Sequence, residues 1–181
     1  MKEKELELKK KELMQPAFTE ELHHELMNMN PNDARKIVES MSNEEIYSKV
    51  NIRRFQEDYI ADYIEFLWDI SKPAYWKHVI VSLDPQVGVL WGDNMQHFKK
   101  MCNTKIPLEV LDAVLNFAVQ NKDSDKQDLE AIGCVIKAQI DKFGRIEDIK
   151  SYISKLPIDD QKSAKEKIFE YAKKECNYIF G

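Results

Sequence analysis

Over most of its 181 residues, the chain's polar and apolar positions alternate with a helical period. The clearest stretch runs from Ile52 to Ile70. Phe55, Tyr59, Tyr63, Phe66 and Ile70 recur three or four residues apart and fall on one stripe. Ile60, Ile64, Leu67 and Trp68 widen that arc, while Asp58, Asp62, Glu65 and Asp69 gather opposite it. So broad an apolar face predicts a central helix with neighbours on more than one side. Pro73 suits the first turn of a following helix, which should end at Asp84-Pro85.

Upstream, residues 1–14 read as a charged helix whose apolar points are Leu6, Leu8, Leu13 and Met14. That is too short a heptad pattern for a coiled coil. Thr19 caps a short helix that stops at Asn30-Pro31, and Asn32 or Asp33 starts the next. Ser42 and Glu45 form a capping box, in which hydroxyl and carboxylate each satisfy an orphan backbone donor at the helix start. The segment DPQVGVLWGDN breaks the pattern and predicts a loop or short helix, with a sub-domain boundary near 84–93. Beyond it, helices are expected at 94–103, 107–120, 126–143 with Gly144 as its stop, 146–154 and 158–178. In the last, Ala164, Ile168, Ala172, Cys176 and Ile179 make a buried seam.

The predicted fold is therefore all-α, a compact bundle of about ten short-to-medium helices, with a helical-repeat-like superhelix as the alternative arrangement. Residues 1–18 form a charged N-terminal arm and 19–181 a single helical domain. Composition agrees: 43% hydrophobic and 33% charged residues, with only five glycines and six prolines, fit long helices joined by short turns. The net charge of −5 argues against indiscriminate binding to nucleic-acid phosphates or anionic membranes and leaves room for a local basic patch. Cys102, Cys134 and Cys176 are odd in number and lack zinc-ligand spacing, which reads as buried free thiols in a reducing compartment. With no signal-peptide pattern at the start and no apolar run long enough for a bilayer, a cytoplasmic location is expected.

Candidate chemistry is sparse. Glu20-x-x-His23 and Glu21-x-x-His24 have the spacing of two metal ligands on one helix face, but a di-iron bundle needs a second such pair. Exposed surface histidines are the simpler reading, and no metal or other cofactor is implied. His97 and Cys102 lie five apart on one expected helix and point different ways. No phosphate-binding glycine loop, dinucleotide fingerprint or nucleophile elbow is present, so no catalytic residue is assigned. Trp68, Tyr75 and Trp76 accompany the stripe as expected core. Trp91 differs, because it lies between glycines beside Val87, Val89 and Leu90. Those four residues are the candidate partner-binding surface.

Residues 87–153 resemble the DnaD-like domain of bacterial replication-initiation and helicase-loading proteins. That family has a helix, a loop, a longer helix bearing Y-x-x-x-I-x-x-x-W, a glycine and a short helix. Here IPLEVLDAVLNFAVQNKDSDKQ stands for the first helix and loop. Ile132, Ile136 and Ile140 occupy the motif, followed by Gly144 and RIEDIKSYI. The middle isoleucine matches, and isoleucines replace the Tyr and Trp. The resemblance implies binding to a helicase or to single-stranded DNA.

Three functional classes follow. The first is a non-enzymatic adaptor or regulator that docks an apolar, aromatic-edged surface on a protein partner or a second copy. The second is a replication-initiation or helicase-loader-like factor. The third is a helical-bundle enzyme or metal protein.

Overall fold

The computed structural model describes residues 2–14, 19–50, 57–83, 95–120 and 126–173; side chains at 13–14, 19–21, 48–50, 57–61, 95–97 and 126–129 fall outside that description. Among the described residues there are eleven helices and no strand. The fold is all-helical, as the periodicity predicts. The helices fall into two compact units, each described by itself.

Unit 1 holds α1 (Glu3–Met14), α2 (Thr19–Met27), α3 (Pro31–Glu39), α4 (Asn43–Val50), α5 (Glu57–Ile70) and α6 (Lys72–Ser82). Helix α5 packs against α2, α3 and α6, as its broad apolar arc requires. Tyr63, Ile64 and Leu67 on α5 are wholly buried with Leu22, Leu26, Ile37, Val38, Met41 and Ile46 from its surroundings. Each such aliphatic side chain contributes roughly 1.5–3 kcal/mol by leaving water.

Local signals set the helix ends in this unit. The capping box forms: Ser42 N–H donates to Glu45 Oε1 at 3.0 Å and Glu45 N–H to Ser42 Oγ at 3.2 Å. Helix α3 starts earlier than the sequence suggested. Pro31 is its first residue, and Asn30 is the N-cap, its side chain accepting from Asn32 N–H at 2.9 Å. Proline needs no amide partner in the first turn, so Asn30-Pro31 opens this helix. Ser71 caps α6 by accepting from Ala74 N–H at 3.2 Å, and its hydroxyl donates to Glu39 at 2.7 Å.

Unit 2 holds α7 (Met95–Cys102), α8 (Leu108–Gln120), α9 (Lys126–Asp141), α10 (Ile146–Ser154) and α11 (Ile158–Ala172). Helix α9 is the hub, packed by α7, α8 and α11, while α10 closes against α8 and α11. Its buried face runs through Ile132, Val135, Ile136 and Gln139. Ile140, placed on that row by the sequence, is only half-buried. An eight-residue step at 3.6 residues per turn drifts about 80° round the helix, whereas a seven-residue step drifts by about 20°. Gly133 is where α9 meets α11: a Cβ there would collide with the Tyr171 carbonyl. Gly144 ends the helix region with a left-handed φ of 61°, which glycine adopts without strain.

Candidate functional site

The four residues singled out as a partner surface, Val87, Val89, Leu90 and Trp91, lie outside the described residues, as does the boundary expected near 84–93. The stripe residue Phe55 and the seam residues Cys176 and Ile179 are likewise outside. What the structure does place is an aromatic corner where α5 passes into α6. Trp68, Tyr75 and Trp76 meet edge to face: Trp68–Tyr75 at 4.8 Å, Tyr75–Trp76 at 4.9 Å and Trp68–Trp76 at 5.7 Å between ring centroids. Such tilted contacts suit ring quadrupoles. Tyr75 is buried, but both tryptophans are only half-buried, so expectation of a core role holds for the tyrosine and fails in part for them. Lys72 sits over the Trp68 ring, its Nζ 3.9 Å from the centroid, and donates to the Trp68 carbonyl at 2.7 Å. The corner therefore presents two large rings and a cation on the surface of unit 1.

The buried polar groups are engaged with the fold. His78, on α6, places Nδ1 2.7 Å from the Ala74 carbonyl and Nε2 2.9 Å from the Tyr63 hydroxyl. A carbonyl can only accept, so Nδ1 carries the proton and Nε2 accepts from Tyr63. The Tyr63 oxygen also lies 3.7 Å from Met41 Sδ, a contact that the single hydroxyl proton does not serve. Burial holds His78 neutral, with its pKa pushed down to about 4 against the favourable Ala74 bond, and Lys77 adds to the depression. The same burial raises the Tyr63 phenol. No sequence pattern pointed to His78, because its partner is fifteen residues away on another helix.

In unit 2 the corresponding centre is Gln139. Its amide nitrogen donates to the Met101 and Thr104 carbonyls at 3.0 and 2.9 Å, and its amide oxygen accepts from Ile106 N–H at 3.3 Å. Arg145 is buried beside it, donating to the Ile106 carbonyl and pairing with Asp148 at 2.8 Å. Together they fasten the α7–α8 loop to the end of α9. A signal for Gln139 was present, since it continues the Ile132–Ile136 face.

The remaining candidates separate. His24 is exposed, whereas His23 is half-buried against Phe66 and Tyr63, at ring distances of 5.2 and 6.4 Å. Burial lowers the His23 pKa, opposed by Asp62. Among the described residues no three His, Cys, Asp or Glu side chains form a metal-binding group. Cys102 is a buried free thiol pushed up to about 12 by burial despite nearby Lys142, which removes it from thiolate chemistry. Cys134 is disulfide-bonded, contrary to the expectation of free thiols; distance along the sequence does not limit which side chains helix packing brings together. Tyr152 keeps its hydroxyl buried without a hydrogen-bond partner, and burial followed by the charge of Asp112 raises its pKa. Along α11, Lys162, Lys165, Glu166, Phe169, Glu170 and Lys173 border an open hollow of about 550 Å³ with walls of both charge signs. No helix among the described residues is long and apolar enough to cross a membrane.

Compared with known proteins, the chain matches no family model, no curated protein and no solved structure.

Proposed function

We propose that this chain is a helical protein-interaction protein, an adaptor or regulator, and that the aromatic corner of unit 1 is part of its contact surface. The observation carrying this reading is the pair of half-buried tryptophans, Trp68 and Trp76, held edge to face beside Lys72. Tryptophan dominates many binding hot spots because it offers a large, rigid apolar area at small entropic cost. Trp76 is the better probe, since Trp68 also carries the Lys72 ammonium over its ring.

The test begins with capture of partners by the tagged chain from a lysate of its source, followed by titration of the purified partner. Trp76→Ala should weaken binding by about 2 kcal/mol or more while keeping the helical content, with a lowered thermal midpoint from the lost packing on Trp68 and Tyr75. Affinities unchanged within about 0.5 kcal/mol for Trp68→Ala and Trp76→Ala would remove the corner from the interface. Trp91→Ala asks the same question of the 87–91 segment.

A replication-initiation or helicase-loader-like role is the second reading. It draws support from the order α8, α9, Gly144, α10, which has the helix pattern of the DnaD-like domain. Against it, Ile132 and Ile136 are wholly buried, so that part of the row serves the core. Single-stranded DNA binding that weakens steeply with salt, or binding to a replicative helicase, would favour this role. Absence of both at low salt would remove it.

A further inference from the structure

The N-terminal helix α1 lies against both α2 and α3, and its side chains show how it is held. Lys9 and Lys10 are neighbours in sequence and so diverge by about 100° around the helix. Lys9 Nζ reaches the Glu25 carboxylate on α2 at 3.1 Å. Lys10 Nζ turns the other way, donating to the Ser40 carbonyl at 2.8 Å and pairing with Glu45 at 3.1 Å. Ser40 is the C-cap of α3, where the helix dipole presents partial negative charge, and Glu45 stands in the first turn of α4. One lysine therefore grips each side of the valley in which α1 rests. Apolar anchoring along the described side chains is limited to the half-buried Leu6: none of residues 3–12 is fully buried, and Leu8 is 61% exposed.

We propose that α1 is a lysine-latched strap over the α2–α3 valley, released by screening of its charges while the rest of unit 1 stays folded. Half-exposed ion pairs are individually weak and are screened by salt, whereas the apolar core beneath α5 and α6 is not. Partial burial would raise the Glu45 carboxyl, but hydrogen bonds from Ser42 and Lys10 together with the Lys10 charge outweigh it and hold the group below its usual range, consistent with a charged latch. In the closed state the occupant of the valley is this chain's own residues 3–12. The inference does not depend on the aromatic corner.

Amide hydrogen exchange of the full chain tests it, comparing α1 with α6 at about 0.1 M and about 1 M sodium chloride, where the Debye length falls from about 10 to about 3 Å. Protection in α1 should fall about fivefold or more while α6 keeps its own. Lys9→Glu should loosen α1 at low salt, and adding Glu25→Lys should restore it. Three results would overturn the proposal: α1 protection insensitive to salt, α1 and α6 opening together, or α1 amides already exchanging as in a free peptide at low salt. Failure of Glu25→Lys to rescue Lys9→Glu would also count against the latch.

Discussion

In unit 1 the buried polar contact joins two rings, Tyr63 on α5 and His78 on α6; in unit 2 it joins Gln139 on α9 to loop carbonyls, with Arg145 beside it. The first is side chain to side chain and contains a group that titrates below neutrality. The second is mainly side chain to backbone, and neither an amide nor a guanidinium changes charge in the physiological range. Both satisfy their polar atoms inside an apolar core, which is the condition for burying them at all. They differ in what can undo them. Acid attacks the contact between α5 and α6, whereas only removal of the side chain attacks the α7–α8 loop.

The largest expected effect is in unit 2. Gln139→Leu leaves the Met101 and Thr104 carbonyls and Ile106 N–H without their partner, and should destabilise by about 3–5 kcal/mol in chemical denaturation. A loss under about 1 kcal/mol would mean that the loop is fastened by other contacts.

Acid comes next and concerns unit 1. His78 has a folded pKa of about 4 against an ordinary 6.5, so the unfolded chain binds the proton first. Its stabilising contribution is complete above pH 6.5 and is lost as pH falls towards 4, about 3 kcal/mol in all. His23, also depressed, acts with the same sign. Protection of α6 amides, relative to their intrinsic exchange at each pH, should therefore fall on acidification before that of α9 amides. An equal fall in the two helices would erase the contrast.

Gly133→Ala should cost about 2 kcal/mol in unit 2, because the new Cβ meets the Tyr171 backbone and α9 and α11 must separate. Thermal denaturation of the variant measures that cost. Tyr63→Phe is the mildest change, about 1–2 kcal/mol, since it keeps the ring and orphans only His78 Nε2. A steeper loss than Gln139→Leu would reverse the ranking of the two centres.

Much of the helical framework was legible in the sequence because helix ends and faces obey local rules. The Ser42–Glu45 box, Pro73 in the first turn of α6 and the bounds of α10 depend on neighbours within a few residues. The polar centres were not legible in the same way. Tyr63 and His78 meet because α5 and α6 pack, and nothing at either position announces the other. Gln139 was readable as a polar residue on an apolar face, but the row through Ile140 drew attention one residue too far. The aromatic corner was visible as composition, while the half-exposure of Trp68 and Trp76 is a matter of packing.

The buried polar groups hold the helices together from inside the core. Following the His78 ring nitrogens by NMR across a pH titration tests it most directly. The account predicts a neutral ring with the proton on Nδ1 and no titration above about pH 5 while α6 keeps its protection. Titration near pH 6.5 in the folded protein would show a ring open to protons, and so contradict its assignment to the core.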